Sequence, residues 1–152
     1  DPVLAANSGG GLAQDGLIQA ITQLFARAVI ITPNSLEARW LTGEDDLDLA
    51  VEKLTELGAE YVLLKGGHEP GETLINRLYR KGELVATSEC PRLDGEFHGS
   101  GCTLASAIAA GIAKGLTVEQ AVLEAEAYIF KALQAADRPR EQGQFIPRRV
   151  GV

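Results

Sequence analysis

The run Gly95-Glu96-Phe97-His98-Gly99-Ser100-Gly101-Cys102-Thr103 places glycines, hydroxyls and a thiol directly before Leu104 to Ala113, an alanine-rich stretch without proline. A glycine-rich turn that opens a helix presents unpaired backbone N–H groups at the positive end of the helix dipole. That is a seat for an anion, most often a phosphate. A cysteine in the first turn feels the same field, which favours thiolate over thiol. Gly99, Ser100, Gly101 and Cys102 therefore offer an oxyanion cradle with a potential base beside it. The plainer reading is a tight turn for helix packing, with Cys102 a small buried hydrophobe. The helix that follows and the flanking hydroxyls of Ser100 and Thr103 favour the anion seat.

Three other segments carry polar residues where strands are expected to end. In Thr32-Pro33-Asn34-Ser35-Leu36-Glu37, Asn34 and Glu37 stand three apart at a helix start and share a face. An amide oxygen and a carboxylate suit Mg2+, which takes oxygen ligands and keeps several waters. The same spacing also makes a capping box, and on spacing alone capping is the simpler account. Lys65-Gly66-Gly67-His68 sets a lysine before two glycines, where the backbone can approach a phosphate closely; an ordinary turn with a solvated lysine fits as well. Asp1, held extended by Pro2, could hold metal-bound water or a basic ligand group, though a turn aspartate is the simpler account. His68 and His98, the only two histidines, receive no catalytic role.

These residues need elements to hold them. Apolar spacing predicts a helix over 15–27 capped by Asp15, and Ala28 to Thr32, rich in β-branched residues, reads as a short buried parallel strand stopped by Pro33. A short helix over 35–41 should stop near Gly43. An amphipathic helix over 46–57 turns Leu47, Ala50, Val51, Leu54 and Leu57 to one side and closes at Gly58. Tyr61 to Lys65 reads as a second buried strand. Thr73 to Arg80 and Glu83 to Ser88 flank Lys81-Gly82, a two-residue hairpin turn. Helices follow over 100–114 and 118–136, then a polar, irregular tail. Alternating strands and helices imply a mainly parallel sheet covered on both faces, with ligands beyond the strand ends.

The chain has 152 residues, enough for one domain with a substantial core. A net charge of -7 argues against a nucleic-acid partner, and no apolar run reaches the length of a membrane span. Two cysteines, Cys90 and Cys102, make neither a disulfide framework nor a zinc site, so a reducing, cytoplasmic setting is the simplest expectation. The chain contains no methionine, and Asp1-Pro2-Val3 reads as the tail of a strand. The expectation is the C-terminal part of a larger protein. Neither a Gly-x4-Gly-Lys-Ser/Thr loop nor a Gly-x-Gly-x-x-Gly following a strand is present, so any nucleotide is held by another arrangement.

Taken together, Asp1-Pro2-Val3, Ile31-Thr32-Pro33-Asn34-Ser35-Leu36-Glu37-Ala38, Leu64-Lys65-Gly66-Gly67-His68 and His98-Gly99-Ser100-Gly101-Cys102-Thr103-Leu104 resemble the hydroxymethylpyrimidine/phosphomethylpyrimidine kinases of thiamin biosynthesis, in the ribokinase-like superfamily. The resemblance implies a three-layer α/β/α fold, with residues 1–152 the C-terminal part of one kinase domain whose N-terminal part is missing. It implies an ATP- and Mg2+-dependent phosphotransferase acting on hydroxymethylpyrimidine or its monophosphate, and a homodimer. By the same resemblance Cys102 is the catalytic base and Gly99 to Cys102 the anion hole. Asn34 and Glu37 organise Mg2+ largely through water, Lys65 contacts the ATP phosphates, Asp1 lies near metal and phosphate, and Val3 lines the pyrimidine pocket. The segment Asn7-Ser8-Gly9-Gly10-Gly11 departs from the family pattern, which has an aspartate after the Ser-Gly. A pyridoxine or pyridoxal kinase, a non-catalytic nucleotide-binding domain and a thiol-dependent hydrolase are the competing readings.

Overall fold

The computed structural model describes residues 1–4, 16–139 and 141–152. The Asp15 cap and the Asn7 to Gly11 departure lie outside the described residues. The chain divides into two compact units, Asp1–Glu89 and Cys90–Val152.

The first unit combines helices with a small sheet. Helix α1 (Leu17–Thr22) and a 3-10 turn (Phe25–Arg27) stand where one continuous helix over 15–27 was expected. Helix α2 (Ser35–Thr42) begins at Asn34 and ends at Gly43, whose φ of 73° gives the left-handed stop that glycine favours. Helix α3 (Leu47–Glu56) is capped by Asp46, whose carboxylate accepts from the amides of Asp48 and Leu49. Its Ala50, Val51 and Leu54 are buried, while Leu57, expected on the same face, is 42% exposed because it already caps the helix end.

Strand β1 (Tyr61–Leu64) is buried along its whole length, as a strand covered on both faces must be. On one side it pairs antiparallel with β2 (Thr73–Arg80), Leu63 opposite Leu78. On the other side it runs parallel to residues 31–34. The Ile31 amide donates to the Tyr61 carbonyl at 3.0 Å, and the Lys65 amide to the Pro33 carbonyl at 2.9 Å. The segment expected as a strand over 28–32 is therefore present as parallel bridges at Ile31 and Asn34 without a continuous ladder. Strand β3 (Glu83–Pro91) follows β2 through Lys81-Gly82 and completes the order β1-β2-β3. Lys81 and Gly82 have φ values of 51° and 83°, the pair of left-handed residues that a type I′ hairpin turn requires. The core of this unit gathers Leu4, Phe25, Ile31, Leu41, Leu54 and Val62 with smaller neighbours.

The second unit is built on two helices, α4 (Ser100–Ala113) and α5 (Val118–Gln134). Thr117 and Gln120 form a reciprocal capping box at the start of α5. Leu104 and Ile108 of α4 and Ala121, Val122, Ala125 and Ile129 of α5 are buried. The helices come close because Gly111 offers no side chain; a Cβ there would stand 3.0 Å from the Ala121 Cβ. The tail folds back by short pairings, Asp137 with Ile146 and Phe97 with Phe145.

Candidate active site

The first unit brings together Asp1, Asn34, Glu37 and Lys65. Lys65 follows the last residue of β1, and its backbone is held on both sides by the parallel neighbour, its carbonyl accepting from the Ser35 amide at 3.1 Å. Its ammonium donates to Asp1 Oδ1 at 2.7 Å, with both side chains only 12% exposed. Thr32 Oγ1 reaches the same oxygen at 3.4 Å. A lysine fixed in this way is a pre-placed point charge for an anion.

Asn34 and Glu37 form the capping box. Asn34 Oδ1 accepts from the Glu37 amide at 2.8 Å, and Glu37 Oε2 accepts from the Asn34 amide at 2.8 Å. The other Glu37 oxygen accepts from the Leu4 amide at 3.2 Å. Glu37 is 3% exposed. It thus ties the start of α2 to the segment after Asp1-Pro2-Val3, a link that spacing within 34–37 could not reveal. Direct coordination of a metal by Asn34 and Glu37 would break this box. The donor set fits a hydrated Mg2+ held through water beside the Asp1 carboxylate. Among the described residues no three of His, Cys, Asp and Glu gather as a direct metal site. Val3 is 44% exposed, with φ 50°, a region a β-branched residue rarely takes.

In the second unit, α4 opens at Gly99 with φ 79° and no side-chain cap. The amides of the first turn, Ser100 to Cys102, thus begin the helix without an intrahelical acceptor. The Gly99 carbonyl takes the Thr103 amide at 3.0 Å and the Thr103 hydroxyl at 2.7 Å, which tightens the turn from behind. The turn is held from the tail as well. His98 donates its amide to the Phe145 carbonyl at 2.9 Å, and the Phe97 and Phe145 rings lie 5.4 Å apart. Gly95 is required there, since a Cβ would strike the Phe145 ring at 2.7 Å.

Cys102 is exposed and lines an open cleft of about 510 Å³ between α4 and α5. The small side chains Ser106, Ala107 and Ala110 line it, together with Lys114, Glu124, Tyr128 and Arg149. The sulfur therefore does not point into packed hydrocarbon. Cys90 contrasts with it: burial pushes its thiol up, with the nearby Glu126 carboxylate adding to the effect. Arg149 is a residue that sequence reasoning missed. Its Nε donates to Thr103 Oγ1 at 3.0 Å, and its carbonyl accepts from the Tyr128 hydroxyl at 2.8 Å. Its Nη2 would stand 2.8 Å from a Cβ at Gly99. The excess of arginines in the tail was the only signal, and nothing local to the tail says which helix it reaches. No helix among the described residues is long and apolar enough to cross a membrane.

Residues 1–146 match the family described as phosphomethylpyrimidine kinase. The chain is 39% identical over 146 residues to hydroxymethylpyrimidine/phosphomethylpyrimidine kinase of Rhizobium meliloti, covering 91% of this chain and 54% of that protein. It is 34% identical over 143 residues to pyridoxine kinase of Bacillus subtilis, covering 88% and 52%. Among solved structures, an ADP complex of Bacillus subtilis pyridoxal kinase superposes with a TM-score of 0.80 at 31% identity, over 91% of this chain and 57% of that one. The chain thus spans about half the length of the curated relatives it matches. The fold is ribokinase-like, and the chain belongs to the phosphomethylpyrimidine kinase family.

Proposed function

We propose that the protein containing this chain is a phosphotransferase of thiamin biosynthesis. It moves the γ-phosphoryl group of ATP to the hydroxyl of hydroxymethylpyrimidine, or to the phosphate of its monophosphate. The observation that carries this reading is the uncapped start of α4 with Cys102 exposed beside it on an open cleft, in a chain of this family.

The substrate oxygen attacks the γ-phosphorus as the bond to ADP breaks, and negative charge spreads over the equatorial oxygens. The amides of Gly99 to Cys102 are aimed where that charge develops. Cys102 serves as the base that accepts the proton leaving the substrate hydroxyl. Lys65 holds the ATP phosphates, exchanging its Asp1 partner for them or sharing it. Mg2+ would sit by Asp1 through water ordered by Asn34 and Glu37, and would neutralise phosphate charge when bound. Val3 belongs to the ring pocket. The protein acts in the cytoplasm as a homodimer, on a small-molecule substrate, and neither nucleic acid nor membrane takes part.

Pyridoxal phosphorylation is a second reading, favoured by the superposition on a pyridoxal kinase. A retained cysteine at the start of α4 speaks against a non-catalytic nucleotide-binding domain. The test is Cys102→Ala in the whole protein. Turnover should fall by about 10²- to 10⁴-fold, the usual worth of a positioned base, with ATP affinity held. Normal turnover in that variant removes Cys102 from the base role.

A further inference from the structure

Lys65 is followed by a loop that is fixed at two points, and the second of them lies outside every role assigned above. The first is Gly66. Its amide donates to Asn76 Oδ1 at 3.2 Å, and it lies so close to β2 that a Cβ would stand 2.1 Å from the Ile75 carbonyl oxygen. The second is Glu69. Its amide donates back to the Gly66 carbonyl at 3.1 Å and closes a turn over 66–69. Its carboxylate meets Arg39 of α2 in a two-pronged pair, Nη1 to Oε1 at 2.9 Å and Nη2 to Oε2 at 3.3 Å. The Nε of the same guanidinium donates to the Asp45 carbonyl at 3.0 Å. Arg39 is therefore gripped from behind and offers its fork to Glu69 in one orientation. Only Gly67 and His68 stand between the two anchors.

Resting on the kinase reading, we infer that Arg39 and Glu69 are positioning residues. Their ion pair holds the Lys65–Glu69 loop against α2, the helix that carries Asn34 and Glu37, so that the loop backbone is set to receive the ATP phosphates. Neither side chain touches the reacting atoms. Without the pair the loop keeps its anchor at Gly66 and loses the one at Glu69, and ATP binding must then order it. The pair is about one-quarter to one-third exposed, at 26% and 34%, so its effect is modest. The Arg39 contact also holds the Glu69 carboxyl below the usual carboxylate range, which keeps the pair charged at neutral pH.

The test is a double-mutant cycle in the whole protein with Arg39→Ala, Glu69→Ala and the double variant. Initial rates are read against ATP concentration. Each single change should raise KM for ATP by about threefold to fivefold, with kcat falling less, as expected for a pair worth up to about 1 kcal/mol. The double variant should be no worse than either single one, because the two act as one clamp. Glu69→Gln, which keeps the shape, carries the test where an alanine variant fails to fold, and it should show the same rise in KM. Unchanged KM values, or effects that multiply in the double variant, overturn the clamp while leaving the kinase reading in place. A wild-type protein that transfers no phosphoryl group from ATP removes the kinase reading itself.

Discussion

Glu37 is the residue for which chemistry and architecture make opposite demands. Its two oxygens accept from the Asn34 and Leu4 amides, and it is 3% exposed. A buried carboxylate with both oxygens engaged by backbone is first a structural device, and any service to Mg2+ must pass through water. The two readings give different outcomes. Glu37→Gln turns an NH2 group toward a backbone N–H, leaving buried donors opposed, at a cost of about 1–3 kcal/mol. Asn34→Ala removes only the cap, about 1 kcal/mol. Urea melts should therefore rank Glu37→Gln as the more damaging. A melt unchanged by Glu37→Gln, with a raised Mg2+ requirement, would give the residue to the metal and not to the fold. The capping box itself was readable, because Asn-x-x-Glu is a local signal. The third bond, from Leu4, joins residues 33 apart in sequence, and no spacing rule reaches that far.

At the scale of elements, two glycines beside proposed phosphate contacts are constrained for different reasons, and alanine separates them. Gly99 needs its left-handed φ of 79°, and the nearest obstacle to a Cβ is Arg149 Nη2 at 2.8 Å, the far end of a side chain that can swing away. Gly66 has no such relief, since the obstacle is the backbone of β2 at 2.1 Å. Gly99→Ala should cost about 1 kcal/mol. Gly66→Ala should cost more, about 2–3 kcal/mol, because a strand must move. Thermal melts of both variants check the order; equal losses would mean that β2 yields freely. The same distinction between local and distant causes explains which elements could be read in advance. The Lys81-Gly82 hairpin, the Asn34 and Thr117 caps and the Gly43 stop are written in two to four adjacent residues. The segment over 28–32 has strand composition, but its pairing depends on β1, thirty residues on. It keeps only the bridges at Ile31 and Asn34. Arg149 reaches Thr103 across 46 positions, and its role was invisible for the same reason.

For the whole molecule, the apparatus carried by this chain is indifferent to the ring it serves. In the proposed mechanism helix-start amides, a thiol and a lysine act on phosphoryl oxygens and on a hydroxyl proton, and a hydroxymethylpyrimidine and a pyridoxal present the same primary alcohol to them. Of the residues given a role in that proposal, only Val3 is assigned to the ring. The chain spans about half the length of its curated relatives, which include a hydroxymethylpyrimidine/phosphomethylpyrimidine kinase and a pyridoxine kinase. Discrimination between them therefore has to come from ring contacts, where a site built around one substrate's polar groups leaves its own groups unpaired with the other, at a cost of about 1–3 kcal/mol for each unmet partner. The whole protein should accordingly show kcat/KM for hydroxymethylpyrimidine at least about tenfold above that for pyridoxal. ADP release measured with each alcohol at matched ATP gives the ratio. A ratio inverted to favour pyridoxal would move the protein to the second reading, with Cys102, Lys65 and the helix-start amides keeping the same roles.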